Sequence, residues 1–304
     1  MKKKYETDLW VVGIVKQPLL KFIKKPTKKD ITWVYPEHPY QFIADPFGIW
    51  KNNKLYLFVE FLDYRQKKGI IDCIIFDKNL KKLSTQNVLK EKSHLSYPFL
   101  IEDKNKIYMI PESSKSGKTF IYESIDFPSK WKKVKEVIPN TGMIDASVIK
   151  YKNKWWIFYS LPGINERALR ELHIAYSNSL LGDWKLHQKN PVSNNIELSR
   201  PGGKPFLSDN QVHLPVQDSS KTYGGQINII KILELTPKNF KATKIKTIKP
   251  NLHPRFADGL HTLSGCENVT LIDCKKRDYS SSRKWIDWQR RLAQAIPLIR
   301  KIKL

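Results

Sequence analysis

"FIADPFGIWKNNKLYLFVEFL", residues 42–62, decides how the chain is read. Two runs of strand-favouring residues flank a short basic turn, Lys51 to Lys54, and an aspartate followed by proline heads the first run. A carboxylate at the head of an apolar strand is costly unless it is solvated, paired or used. Asp45 therefore needs a reason, and recurrence of the pattern would supply one.

The pattern recurs. "SYPFLIEDKNKIYMIPES" starts at Ser96, "DASVIKYKNKWWIFYS" at Asp145, "RPGGKPFLSDNQVHLPVQD" at Arg200, and "LHTLSGCENVTLID" at Leu260. Aligning Asp45, Tyr97, Asp145, Arg200 and Leu260 gives steps of 52, 48, 55 and 60 residues, each with room for about four strands. The expected fold is all-β: a five-bladed β-propeller over residues 1–278, followed by a short basic amphipathic C-terminal helix over 279–304.

Composition sets outer limits. Hydrophobic residues make up 40% of the 304, and aromatics 12%, enough for a substantial core. No apolar run reaches the 18 residues a membrane-spanning helix needs. Near the start, Glu6 and Asp8 precede the short apolar stretch "LWVVGIV", so no signal peptide is expected. Cys73, Cys266 and Cys274 lack ligand spacing, which suits a reducing cytoplasm and speaks against a disulfide framework or zinc site. Nothing in the motifs calls for a cofactor or metal.

Charge points to an anionic neighbour. Lys and Arg number 54 against 29 Asp and Glu, a net +25. The plainer reading is that lysines simply occupy exposed turns such as "KNNK" and "YKNK". The closing "SSRKWIDWQRRLAQAIPLIRKIKL" carries a net +6, with Trp285, Trp288, Leu292, Ile296 and Ile299 spaced along one helical face. Trp285 and Trp288 beside Arg290, Arg291, Arg300 and Lys301 describe a helix lying in an anionic membrane interface. The alternative is a terminal helix packed on the propeller through its tryptophans. No zinc-finger, RNP or helix-turn-helix signature accompanies the charge, so nucleic acid is not an expected partner.

In a propeller the innermost strand of each blade opens at the central funnel. The residues heading the repeats would converge there: Asp45, Tyr97, Asp145 and Arg200. Two carboxylates from different blades facing one cavity suit glycosyl chemistry, one as base or nucleophile and one as stabiliser. An aspartate at a strand start can equally cap a turn. Glu112, in "MIPES", offers a third carboxylate. "SRPGGKPF" sets Arg200 and Lys204 around two glycines, a grouping suited to gripping phosphate or carboxylate. Gln217 and Tyr223 in "QDSSKTYGG", His261 in "GLHT" and His94 before "SYPF" are substrate-binding candidates, the histidines having a turn-stabilising alternative.

Taken in order, "ADPF", "HLSYPFLIEDKNKIYMIPES", "IDASVIKYKNKWWIFYS", "SRPGGKPF", "PVQDSSKTYGG" and "GLHT" resemble one known motif series. It is that of the propeller domain at the N-terminus of glucosamine inositolphosphorylceramide transferases, which also occurs in bacterial polysaccharide-assembly proteins. The resemblance runs from about Leu9 to Asp273. More distantly, "ADP" and "IDAS" resemble the first- and third-blade aspartates of family-43 glycoside hydrolases. That likeness implies a base role for Asp45 and a modulating role for Asp145. The fourth repeat departs from it, with Arg200 where that family has its acid glutamate; Glu197 is nearby but out of register.

A hydrolase without its general acid is slow on unactivated glycosides. A transferase whose donor leaves as a phosphate needs only a base for the acceptor and cations for the departing charge. The expectation is thus a cytoplasmic glycosyltransferase peripherally associated with the inner membrane, serving bacterial surface-polysaccharide assembly (capsule or lipopolysaccharide). It would use a phosphorylated donor, furanosyl or phosphoribosyl by preference, and a lipid-linked glycan acceptor. A family-43-like hydrolase is the first alternative, and a non-catalytic glycan-binding propeller the second.

Overall fold

The computed structural model describes residues 7–279 together with 285, 286 and 288. Among them, the strands form five antiparallel sheets arranged as the blades of a propeller. Blade 1 runs outward through Gln41–Lys51, Lys54–Asp63, Lys68–Phe76 and Lys82–Leu89. Blade 2 comprises Ser96–Asp103, Lys106–Glu112, Phe120–Asp126 and Lys130–Glu136. Blade 3 comprises Ile144–Tyr151, Lys154–Ser160, Glu171–Ser177 and Lys185–Leu186, with Ser193–Asn194 also pairing its third strand. Blade 4 comprises Phe206–Ser208, Gln211–Asp218, Gln226–Leu235 and Phe240–Ile248.

Blade 5 is built from both ends of the chain. Its inner strands are Leu263–Cys266 and Val269–Asp278, and its outer strands are Thr7–Val15 and Ile31–Val34. Nine pairs, from Thr7↔Asp278 to Val15↔Thr270, close the circle. The repeat at Leu260 is therefore only an inner hairpin, and its missing half is supplied by residues that precede the first repeat.

The basic turns noted in the sequence are the tight hairpins between first and second strands. Asn52–Asn53, Lys104–Asn105, Lys152–Asn153 and Asp209–Asn210 each place both residues at positive φ, between +47° and +63°. That is the backbone of a two-residue turn matched to strand twist, and asparagine tolerates it. Alternate residues of the strands pack between blades. Phe47, Tyr97, Phe99, Tyr159 and Trp155 belong to one apolar cluster joining blades 1 to 3. Cys73, Cys266 and Cys274 are buried and serve as packing residues. Among the described residues, no helix is long and apolar enough to cross a membrane.

Candidate functional site

Three inner strands slip register at the same place: between Ala44 and Phe47, Ser96 and Phe99, and Ile144 and Ser147. Within each slip one residue stands in the left-handed region: Asp45 at φ +53°, Tyr97 at +44° and Asp145 at +51°. A non-glycine residue held there costs about 1–3 kcal/mol. A bulge re-aims the side chain that follows the pleat, and here it recurs in register in blades 1, 2 and 3.

Those side chains build a hydrogen-bonded ring through all five blades. Asp45 Oδ2 accepts from the Tyr97 backbone N–H at 3.1 Å, and the Tyr97 hydroxyl meets Ser147 Oγ at 2.8 Å. Ser147 Oγ donates to the Gly203 carbonyl at 3.1 Å, while the Gly203 N–H donates to the Tyr97 hydroxyl at 2.6 Å. Gly203 in turn bridges Leu263, and Thr262 Oγ1 donates to Asp45 Oδ1 at 2.8 Å. The ring explains Asp45: its carboxylate joins blade 1 to blades 2 and 5.

On one side of the ring lies a polar cluster around Asp145. Arg200 Nε and Gln217 Nε2 each donate to Asp145 Oδ2 at 2.6 Å. Glu112, half-buried, accepts from Ser114 Oγ at 2.7 Å and shares a hydrogen bond with the Asp145 carboxyl. Burial first, and the Asp145 charge second, push the Glu112 carboxyl up to about 8. Burial works against the charge of Arg200, but Asp145, Tyr223 and Glu112 together outweigh it and hold the guanidinium firmly protonated. Tyr223 lies beside it, its ring centroid 5.3 Å from the guanidinium carbon. Buried Gln217 Oε1 has no hydrogen-bond partner among the described residues.

The other side is organised by Asp273. Its Oδ2 stands 2.6 Å from His261 Nδ1, and its Oδ1 accepts from the backbone N–H groups of His261 and Thr262. Burial opposes the imidazolium, yet Asp273 and Asp45 raise His261 to about 9. Asp45 itself is raised to about 8 by burial, with His261 pulling the other way. The Trp10 indole stacks on His261 at 3.7 Å. Asp45, His261 and Asp273 bring three ligand-type atoms within 4.8 Å of one another, the grouping best suited to a cation among the described residues. Each of those side chains is already engaged with a protein group, so an ion would compete with the ring.

Several candidates fall elsewhere. Tyr97 is fully buried and its hydroxyl saturated, so it is a strut between blades and not a substrate contact. Lys204 does not join Arg200: it lines a depression with Glu102, Lys150 and Trp155, at the far ends of the inner strands. Four extended residues carry the chain about 13 Å, enough to separate the two cations. The glycine pair serves backbone approach between blades, since a Cβ on Gly203 would stand 1.9 Å from the Leu263 carbonyl oxygen, and one on Gly202 2.8 Å from the His261 oxygen. His94 bridges Glu60 and the Gly69 N–H, at 3.2 and 2.9 Å, and pins blade 1 to the strand that follows it. Trp285, Ile286 and Trp288 are helical, the tryptophans half-exposed at 58% and 50% and stacked on each other at 4.8 Å. Arg290, Arg291, Arg300 and Lys301 lie outside the described residues.

Other central residues were not singled out in the sequence. Glu60 pairs opposite Ala44 as Glu112 does opposite Ser96, so the ends of the second strands carry a second polar tier. The signal was there in "VEF", "PES", "VQD" and "LID", which place Glu60, Glu112, Gln217 and Asp273 alike. Trp10, Ser147 and Thr262 carried no such signal. Lys275, wholly buried, reaches the Tyr223 carbonyl and Thr222 Oγ1, with Asp8 at 3.7 Å.

Comparison with known proteins agrees with this fold. A glycoside hydrolase of family 117 from Zobellia galactanivorans superposes with a TM-score of 0.54 at 15% identity, covering 90% of this chain and 92% of that one. An α-L-arabinofuranosidase from Podospora anserina gives 0.55 at 10% identity, covering 78% and 92%. At those identities the likeness shows the fold, a five-bladed propeller. In sequence, Glucosamine inositolphosphorylceramide transferase 1 of Oryza sativa subsp. indica is 34% identical over 217 residues, and that of Arabidopsis thaliana 32% over 214. Each match covers 68% of this chain but 28% of the relative, so the chain spans about a quarter of their length. The family model for "Glucosamine inositolphosphorylceramide transferase 1, N-terminal" matches residues 30–257. Three quarters of the chain lie within that match, and the chain belongs to this family.

Proposed function

We propose that the axial cluster binds a glycan and that the chain is a glycosyltransferase, moving a sugar from a phosphate-activated donor to a lipid-linked glycan of the kind used in surface-polysaccharide assembly. The observation that supports this best is Glu112. Raised to about 8 and hydrogen-bonded to the Asp145 carboxyl and Ser114, this carboxyl takes up a proton far more readily once ionised than an ordinary glutamate does. It can therefore act as a base as the pH approaches 8. Asp45 shares the elevation, but both of its oxygens are spent on the ring. Glu112 is therefore the group to take the acceptor hydroxyl proton. Asp145, gripped by Arg200 and Gln217, fixes its position, and partly exposed Tyr223 offers a contact to sugar hydroxyls. The relatives' name couples glucosamine with inositolphosphorylceramide, a lipid, which supports a lipid-borne acceptor. Half-exposed Trp285 and Trp288, set in a basic segment, support contact with an anionic surface, and residues 279–304 are assigned to that role.

A hydrolase reading draws on the same residue, because Glu112 holds its proton at neutral pH and can donate it to a leaving group. The test is a donor screen with lipid-linked acceptors, run beside aryl furanosides. Transfer abolished by Glu112→Gln supports the proposal. Ready hydrolysis of aryl furanosides without transfer favours the hydrolase. Glycan binding with no turnover of either kind leaves a binding module.

A further inference from the structure

A transferase using a phosphate-activated sugar must hold phosphate, and the axial cluster is poorly equipped for it. The carboxyls of Asp45, Glu60, Glu112, Asp145 and Asp273 crowd the centre against Arg200 and His261. Arg200 is committed to Asp145, and Lys204 lies at the other end of the strands. The phosphate grip has to come from elsewhere.

A cleft of about 260 Å³ opens at the seam between blades 5 and 1. Trp10 lines it, and the same indole stacks on His261, so one ring belongs to both the cluster and the cleft. Tyr35 and Phe256 supply further aromatic walls, with ring centroids 6.4 Å apart. His253 holds them in place: its Nδ1 accepts from the Arg255 and Phe256 N–H groups at 2.9 and 3.0 Å, which leaves Nε2 to donate to the Tyr35 hydroxyl at 2.9 Å. At the rim stand two exposed cations, Arg255 and Lys276, which form no ion pair among the described residues. Glu37 is the acid of the lining.

Aromatic faces take the apolar face of a sugar ring, a carboxylate accepts from its hydroxyls, and paired cations take a phosphate. The geometry points to this cleft as a binding site for a glycosyl or cyclitol phosphate, with the ring against Tyr35 and Phe256 and the phosphate on Arg255 and Lys276. The site rests on the transferase reading for its biological use, but its occupancy is measured without turnover.

Titration calorimetry of the full chain with glucose 1-phosphate, glucose and inorganic phosphate tests it. Glucose 1-phosphate should bind at least tenfold more tightly than either half. Arg255→Ala/Lys276→Ala should weaken it at least tenfold, as should Tyr35→Ala, whereas Tyr35→Phe keeps the ring and retains binding. A lipid-borne source is probed with vesicles of phosphatidylinositol against phosphatidylglycerol, equal in charge. Preference for the former, lost in Tyr35→Ala, places the ligand on a lipid. If neither probe binds selectively, or the cleft variants bind as the wild type does, the inference is overturned. Absence of transfer activity with cleft binding intact would instead count only against the transferase reading.

Discussion

The Gly203 N–H donates to the Tyr97 hydroxyl at 2.6 Å across the propeller axis, tying blade 4 to blade 2. Tyr97→Phe removes that acceptor while keeping the ring against Phe47, 4.8 Å away. The buried Gly203 N–H would then lack its partner, at a cost of about 1–3 kcal/mol. Urea denaturation should show a lower midpoint at unchanged slope, and ligand affinity should be unaltered. A large loss of affinity in a stably folded Tyr97→Phe would return Tyr97 to the substrate site.

Gly203→Ala should do far more damage. The residue stands at φ +139°, and its Cβ would collide with the Leu263 backbone oxygen at 1.9 Å. Neither backbone can retreat without breaking the ring. A loss of roughly 4 kcal/mol or more is expected, at the severe end for one substitution. Near-normal thermal stability would show that blades 4 and 5 are not held this closely.

Glu112→Gln keeps shape and the Ser114 contact but removes the titrating carboxyl. Turnover should fall about 10²–10⁴-fold. In the wild type the rate should climb with pH as Glu112 ionises, levelling off above about 8, and the variant should lack that inflection. An unchanged pH profile in the variant would take the proton-transfer role away from Glu112.

Stability should fall as pH rises. Asp45 and Glu112 are lifted to about 8 and His261 to about 9, all upward from their ordinary values of 3.8, 4.5 and 6.5. A raised group contributes stability that is complete below its unfolded value and is lost as pH climbs through its folded one. His173, His187, His213 and His253 are lowered by burial and oppose this trend, but only below their ordinary value of 6.5. Between pH 6.5 and 9 the melting temperature should therefore decrease, with a shallower slope in Glu112→Gln. A flat or rising curve in the wild type would mean that these side chains are better solvated than their burial implies.

Trp285→Ala/Trp288→Ala should weaken binding to anionic vesicles about tenfold, equivalent to about 1.4 kcal/mol. Both side chains are half-exposed, so the melting temperature should stay close to that of the wild type. The competing account, in which these rings pack on the propeller, forecasts the reverse pattern in co-sedimentation and thermal melts.

Much of the fold was legible because hairpin chemistry is local. The Asn-containing turns and the strand runs around them repeat at a blade-sized step, and Asp45, Tyr97 and Asp145 mark equivalent positions. What those positions do was less legible. A bulge leaves no residue signature here, so nothing in "SYPF" says that Tyr97 turns across the axis to Gly203. The glycine pair in "RPGGKPF" reads equally well as a phosphate cradle and as a close backbone crossing, and only the facing Leu263 chooses between them. Trp10 lies in the strand Thr7–Val15, ahead of the first repeat, and reaches His261 by closure of the circle. Contacts of that separation have no trace in a local pattern.

That closure makes blade 5 the blade of longest sequence separation, so it is expected to assemble after the others. Each of blades 1 to 4 is made of neighbouring hairpins and can form as its own segment is synthesised. The strand Thr7–Val15 precedes blades 1 to 4 in sequence, yet it pairs with Val269–Asp278, which follows them. Until then the nascent chain has Glu112, Asp145 and Arg200 in blades already paired, while Asp45 lacks Thr262, and Trp10 has no His261 to stack on. The cleft beside Trp10, which Lys276 also lines, is thus complete only once the hairpin of Leu263–Cys266 and Val269–Asp278 has closed blade 5, after the strands that carry Glu112 and Asp145 have paired.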